Sequence, residues 1–243
     1  MENERISTGS FDLNDFLLGG YERDIITMLA GSPGSGKTNL CILAACSQAK
    51  DGKKVIFIDS EGGFSTERVK QIVGEKYKEI LENILILSPV NFSEQKKCFS
   101  RLVSELKNGH VSLVIVDSMA LLYRLELGDA ARSGEEFGVS DVNRDVANQM
   151  QMLSEISRKQ KIPVIITNQV YKKFLSDEEE KAGVEKTTRI VGGDLFRYWS
   201  KCIIELFVES GRRKVKLLEH RSLGEKEMDF VIRDEGVFKR GFF

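Results

Sequence analysis

The sequence predicts an α/β fold: a mostly parallel central sheet flanked by helices and extended by antiparallel strands near the C-terminal end. Two observations carry this reading. Through the first two thirds, apolar β-branched runs alternate with helical patterns, and beyond Gly193 the texture changes to strand-like alternation broken by turn residues. Alternating strand and helix signals mark parallel strands joined by crossover helices. Continuous apolar runs are the signature of strands buried on both faces.

In chain order, the buried strands fall at residues 25–30, 55–58, 84–87, 113–116 and 162–167. The helical patterns fall at 38–50, 65–73, 92–107 and 139–161. Residues 127–138 and 172–193 are polar and Gly-bearing, so they read as long loops, which inside a compact domain usually carry function. The closing strands lie around 201–208, 213–218 and 227–232, with turns at Ser210-Gly211 and Gly224.

The 243 residues suit one core, so a single domain over 1–243 is expected. With 41% hydrophobic and 30% charged residues, wholesale disorder and a disulfide scaffold are excluded. Lys+Arg 36 against Asp+Glu 37 leaves a net charge of -1, so a nucleic-acid partner must be held by a local patch rather than a global field. The 4 cysteines are scattered without a CxxC pair and the 2 histidines stand apart, which argues against a Cys/His metal site. The N-terminus lacks the apolar core of a signal peptide, and no apolar run approaches the roughly 20 residues of a membrane span. The expectation is a cytoplasmic protein with reduced, mostly core thiols and no membrane attachment.

The strongest motif follows the first strand. Gly31, Ser32, Pro33, Gly34, Ser35, Gly36, Lys37 and Thr38 spell GSPGSGKT, the phosphate-binding pattern in a strand-loop-helix context. Glycines let successive backbone amides face the phosphates of ATP, and the following helix presents its positive end. Lys37 then reaches the β- and γ-phosphates while Thr38 offers a hydroxyl to Mg²⁺.

Three further strand ends supply partners. Asp117 closes the run LVIVD and reads as the metal-side carboxylate, the alternative being a cap on the next helix. In IFIDSEGG, Glu61 is placed to polarise the attacking water, with a second metal-side role or a solvated turn as alternatives, and Asp59 reads as structural. In ITNQV, the amides of Asn168 and Gln169 can register the γ-phosphate or serve as turn formers.

In this order and spacing, STGSFDLNDFLLGG, GSPGSGKT, FIDSEGGFSTERV, LVIVDS, ITNQV and VGGDLFRYWSK resemble the core of the RecA-like recombinase superfamily over residues 8–238. The resemblance implies a RecA-like P-loop core in which Glu61 activates water, Gln169 senses the γ-phosphate and Arg68 lies over the adenine. It implies DNA contacts from the two long loops, through Arg124, Arg132, Lys172, Lys173, Lys186 and Arg189. It also implies a role in DNA repair and recombination, with a main recombinase and a Holliday-junction resolvase as partners and weak homo-oligomer formation.

The sequence departs from the superfamily in three places. Full recombinases carry a helical DNA-binding domain and a Phe-x-x-Ala docking peg ahead of this core, whereas the resemblance here begins at Thr8. Asp177, Glu178, Glu179 and Glu180 oppose phosphate binding in the second loop. Where relatives carry a Lys-x-Arg pair reaching a neighbour's phosphates, this chain has Glu219 and Arg221, so Arg221 is the candidate trans finger. The expectation is a weak ATPase acting as an accessory or regulator rather than in autonomous strand exchange. The competing class is a nucleotide-switched assembly adaptor of the KaiC type without a DNA role.

Overall fold

The computed structural model describes residues 4–134, 137–172 and 188–241. Its framework is a sheet of strands β3 (Ile26–Gly31), β4 (Lys54–Asp59), β5 (Ile84–Leu87), β6 (Val111–Asp117), β7 (Val164–Lys172), β8 (Thr188–Ile190), β9 (Ser200–Glu209), β10 (Arg212–His220), β11 (Lys226–Arg233) and β12 (Gly236–Lys239). Across the sheet the order is β12-β11-β10-β9-β3-β7-β6-β4-β5, with β8 paired to β7. Strands β3 to β7 run parallel, β9 is parallel to β3, and β9 to β12 form antiparallel hairpins. A small ribbon of β1 (Arg5–Ile6) and β2 (Tyr21–Glu22) precedes this sheet and encloses helix α1 (Phe11–Phe16).

The parallel strands are mostly apolar along their middles because both faces are covered, and β4, β6 and β7 turn polar toward their carboxyl ends. One face packs on α2 (Lys37–Ala49), α3 (Thr66–Val73) and α4 (Tyr77–Leu81), where Leu29, Leu43, Phe57 and Ile165 share a core. The other packs on α5 (Phe92–Lys107), α6 (Leu121–Ser133) and α7 (Gly138–Gln160), where Met28, Ile58, Phe99, Val146, Leu153 and Ile166 meet. The short α8 (Asp194–Trp199) closes that second layer through Phe196. Local signals fix the ends: Ser65 and Asn91 cap α3 and α5 by accepting from the amides of Arg68 and Glu94. The β9–β10 turn puts Ser210 and Gly211 both at positive φ, as a two-residue hairpin requires.

One expectation needs correction here. Residues 127–138 are largely helical, since α6 continues to Ser133 and α7 starts at Gly138. The central Gly128 and a run of charges disguised the helix, yet Leu122 and Tyr123 are buried and Leu127 and Ala130 pack on the core. In the second long segment, β8 returns antiparallel to β7, pairing Ile190 with Val170. Lys173, Lys186 and the acidic run from Asp177 to Glu180 lie outside the described residues. Among the described residues no helix is long and apolar enough to cross a membrane.

Candidate nucleotide-binding site

The site forms at the carboxyl edge of the parallel strands, where β3 feeds directly into α2. Gly31 ends β3 against β9, and a Cβ there would lie 2.3 Å from the carbonyl oxygen of Leu206, so no larger residue fits this approach. Gly36, at φ 112°, turns the chain into α2 and caps it without a side-chain hydrogen bond. The first amides of α2 are therefore open to an anion, with the helix dipole behind them.

Lys37 is buried, and its Nζ donates to the carbonyls of Gly31 at 2.9 Å and Ser32 at 3.0 Å, folding back over the loop. Burial lowers its pKa, an effect opposed by the nearby charges of Glu61 and Asp117. Beside it the Ser35 hydroxyl is buried without a hydrogen-bond partner, an uncommon condition that a ligand oxygen would relieve.

Asp117, fully buried at the end of β6, accepts from the Thr38 hydroxyl at 2.7 Å through Oδ2 and from the Thr167 hydroxyl through Oδ1. Burial raises its pKa, with the two threonine hydrogen bonds opposing the rise. A hydroxyl and a carboxylate in contact are the donor set that Mg²⁺ takes alongside phosphate oxygens, so these residues fit a magnesium nucleotide. The alternative of a helix cap fails, because the carboxylate is spent on side-chain hydroxyls.

Glu61 sits on the loop after β4. Asp59 ties that loop down by accepting from the amides of Gly63 and Phe64, each at 3.0 Å, which is the structural role expected of it. Ser60 ties it to β6, its amide donating to the Asp117 carbonyl at 2.8 Å and its hydroxyl to the Ser118 carbonyl at 2.6 Å. Gly63 runs so close to Thr38 that an added Cβ would lie 3.2 Å from its methyl group. Glu61 is left exposed, accepting from Gln169 Nε2 at 3.2 Å. Gln169 is the register partner of Gly31, so the strand pairing itself sets this amide beside the phosphate loop.

Asn168 is a correction. It faces the opposite core, donating to the Val191 carbonyl at 2.9 Å, and so holds the turn before α8 instead of addressing a phosphate. Side chains alternate along a strand, so neighbouring amides cannot both face the loop.

Arg68 stands at the start of α3, donating to the carbonyls of Arg233 and Asp234, each at 2.9 Å, and to Gln71 at 3.0 Å. Its guanidinium thus grips the β11–β12 hairpin, whose Ile232 would lie 3.1 Å from a Cβ on Gly36. Arg124 is exposed on α6, and Arg132 is exposed but pairs with Asp129. Lys172 ends β7 and Arg189 lies within β8.

Arg221 lies at the other end of the sheet. Its Nη atoms donate to both Asp24 oxygens at 2.9 and 2.7 Å, and its Nε stands 2.7 Å from Glu22 Oε2. The residue read as a free finger is thus held within the chain, and Glu219 beside it pairs with Arg197. Nothing local in the sequence announced these partners, since Asp24 is 197 residues away. Sequence reading also missed Thr167, although its place two residues before Gln169 puts it on the same strand face.

A P-loop on a parallel sheet, with a hydroxyl–carboxylate pair and an exposed carboxylate at neighbouring strand ends, defines a nucleotide-binding protein of RecA-like architecture. The sequence matches the Rad51 family over residues 2–240, and the chain belongs to that family. It is 35% identical over 241 residues to the DNA repair and recombination protein RadB of Methanobrevibacter smithii, covering 97% of this chain and 96% of the relative. To the protein of that name from Methanocaldococcus jannaschii it is 39% identical, covering 93% and 98%. To that from Methanothermobacter thermautotrophicus it is 37% identical, covering 97% and 96%.

Proposed function

We propose that this chain is a single-domain, ATP- and Mg²⁺-binding, weakly ATP-hydrolysing, DNA-binding protein of DNA repair and recombination. It acts as an accessory or regulator beside a main recombinase and a junction resolvase. The observation that carries the nucleotide half is the contact of Thr38 with Asp117 beside the phosphate loop, at the same edge of the sheet as Glu61 and Gln169. The recombination half rests on membership of the Rad51 family and on relatives named for DNA repair and recombination.

In this reading the amides of residues 32–38 and Lys37 bind the phosphates, and Thr38 and Asp117 hold the metal. Bound Mg²⁺ would supply positive charge against the phosphates. Glu61 accepts the proton of the attacking water, and Gln169, which already touches Glu61, orients that carboxylate. Arg68 supplies a planar cation for the base. Weak turnover follows from Arg221, whose charge is spent on Asp24 and Glu22 and is thereby withheld from any neighbour's phosphates.

DNA binding is assigned to the α6–α7 corner and the segment after β7. Arg124 is exposed in the first turn of α6 beside the exposed Leu125, and Phe137 is exposed at the start of α7. Pairing of Arg132 with Asp129 keeps the local positive charge modest. The test is a salt titration of DNA binding, comparing the parent with the triple variant Arg124→Ala, Lys172→Ala, Lys173→Ala. Affinity should fall steeply with salt, and the log–log slope of the variant should be shallower by roughly one per phosphate contact removed. Salt-insensitive binding, or none, would favour the nucleotide-switched adaptor.

A further inference from the structure

We infer that Thr167 is the positioning residue for the metal-side carboxylate, a role that rests on the nucleotide-binding reading above. Thr167 and Asp117 are both fully buried. They lie on adjacent parallel strands, one position beyond the register pair Val116 and Ile166, so the backbone sets them side by side. The Thr167 hydroxyl donates to Asp117 Oδ1 while the Thr38 hydroxyl donates to Oδ2 at 2.7 Å.

A carboxylate held through both oxygens has lost its freedom to rotate about the Cβ–Cγ bond. With Oδ1 fixed by Thr167, Oδ2 stays on Thr38. Thr38 in turn has its proton committed to Asp117, which leaves its oxygen lone pairs for a cation. Removing the Thr167 hydroxyl would leave Oδ1 buried without a donor, and the carboxylate could then turn away from Thr38. Two residues on, Gln169 on the same strand face donates to Glu61. Strand β7 thus holds both carboxylates of the site, one through a hydroxyl and one through an amide, while Asn168 between them faces the other core.

The test is fluorescent-nucleotide binding as a function of Mg²⁺ concentration, with melting to establish the folded state. Thr167→Val keeps the shape and loses the donor. Its Mg²⁺ midpoint should rise by roughly tenfold, the scale on which outer-shell partners act, while affinity measured in chelator stays at the parent value. Thr167→Ser should restore the midpoint, and in an Asp117→Asn background Thr167→Val should add nothing. If Thr167→Val does not fold, Thr167→Cys, of similar volume and a weak donor, is read in the same way. An unmoved midpoint, a serine variant as impaired as valine, or an undiminished shift in the Asp117→Asn background would overturn the assignment. A parent whose nucleotide binding ignores Mg²⁺ would overturn the nucleotide reading and this inference together, whereas a responsive parent with an unmoved Thr167→Val overturns the inference alone.

Discussion

The two edges of the parallel sheet are both rich in charge but are wired differently. At the amino edge, opposite charges meet within the chain. Arg5 stands 2.8 Å from Glu22, Arg221 2.7 Å from both Glu22 and Asp24, and Lys161 3.8 Å from Asp24. At the carboxyl edge, none of the described ion pairs includes Lys37, Glu61 or Asp117, although the three influence one another electrostatically. There Lys37 leans on backbone carbonyls, Ser35 keeps an unpartnered buried hydroxyl, and open helix amides face outward. Charges that cancel inside the chain fasten the fold, here joining the β1–β2 ribbon to β10. Charges left without an ion-pair partner around a backbone cradle suit a ligand that brings both signs, phosphate for Lys37 and a metal ion for Asp117.

This contrast can be broken by exchanging the kind of effect expected at each edge. Glu61→Gln should leave ATP affinity and melting temperature near the parent values while lowering turnover by roughly 10²-fold or more, because the amide keeps the shape but cannot take a proton. Single-turnover kinetics would check this, and equal rates would move the catalytic carboxylate elsewhere.

At the amino edge the order reverses. Arg221→Ala should cost about 1–2 kcal/mol of stability, between the values for exposed and buried pairs, because Glu22 is nearly buried and keeps only part of its compensation. Its ATP affinity should not change. A weakened affinity at low protein concentration, where chains are apart, would mean that Arg221 serves its own phosphate loop.

Asp24→Asn is the smallest effect and sharpens the comparison through pH. The hydrogen bonds from Arg221 hold the Asp24 carboxyl below its ordinary range. A lowered folded pKa stabilises the fold above the ordinary carboxylate pKa of about 4, and that contribution is lost as pH falls through the folded value. The parent should therefore out-melt the variant at neutral pH by no more than about 1 kcal/mol, with the gap closing in acid. Chemical denaturation at several pH values measures it, and a gap that widens in acid would contradict the pairing.

How much of this was legible in the sequence follows the range of the interactions. The phosphate loop is contiguous, and its glycines, lysine and threonine form the whole motif within residues 31–38, so it could be read directly. Asp117 and Glu61 were legible because apolar strands end at the edge where ligands bind. Gln169 was read together with Asn168, and strand alternation separates them. Thr167 lay inside an apolar run, where its partner on β6 is visible once the strand order is known. Helix α6 was hidden by Gly128 and by its short buried stripe of Leu122 and Tyr123. Arg221 looked free because its partners Glu22 and Asp24 belong to the far end of the chain, and such ion pairs leave no local pattern.

The central claim is that the carboxyl edge is a magnesium–ATP site built on residues 31–38 and Asp117. The most direct measurement is a calorimetric titration of ATP into the parent and into Lys37→Ala, each with Mg²⁺ and with chelator. The parent should bind one ATP per chain, more tightly with Mg²⁺, and Lys37→Ala should lose roughly 30- to 160-fold in affinity, the worth of a charge-assisted contact of about 2–3 kcal/mol. A parent that takes up no ATP, or a Lys37→Ala variant that binds it as the parent does, would contradict the account.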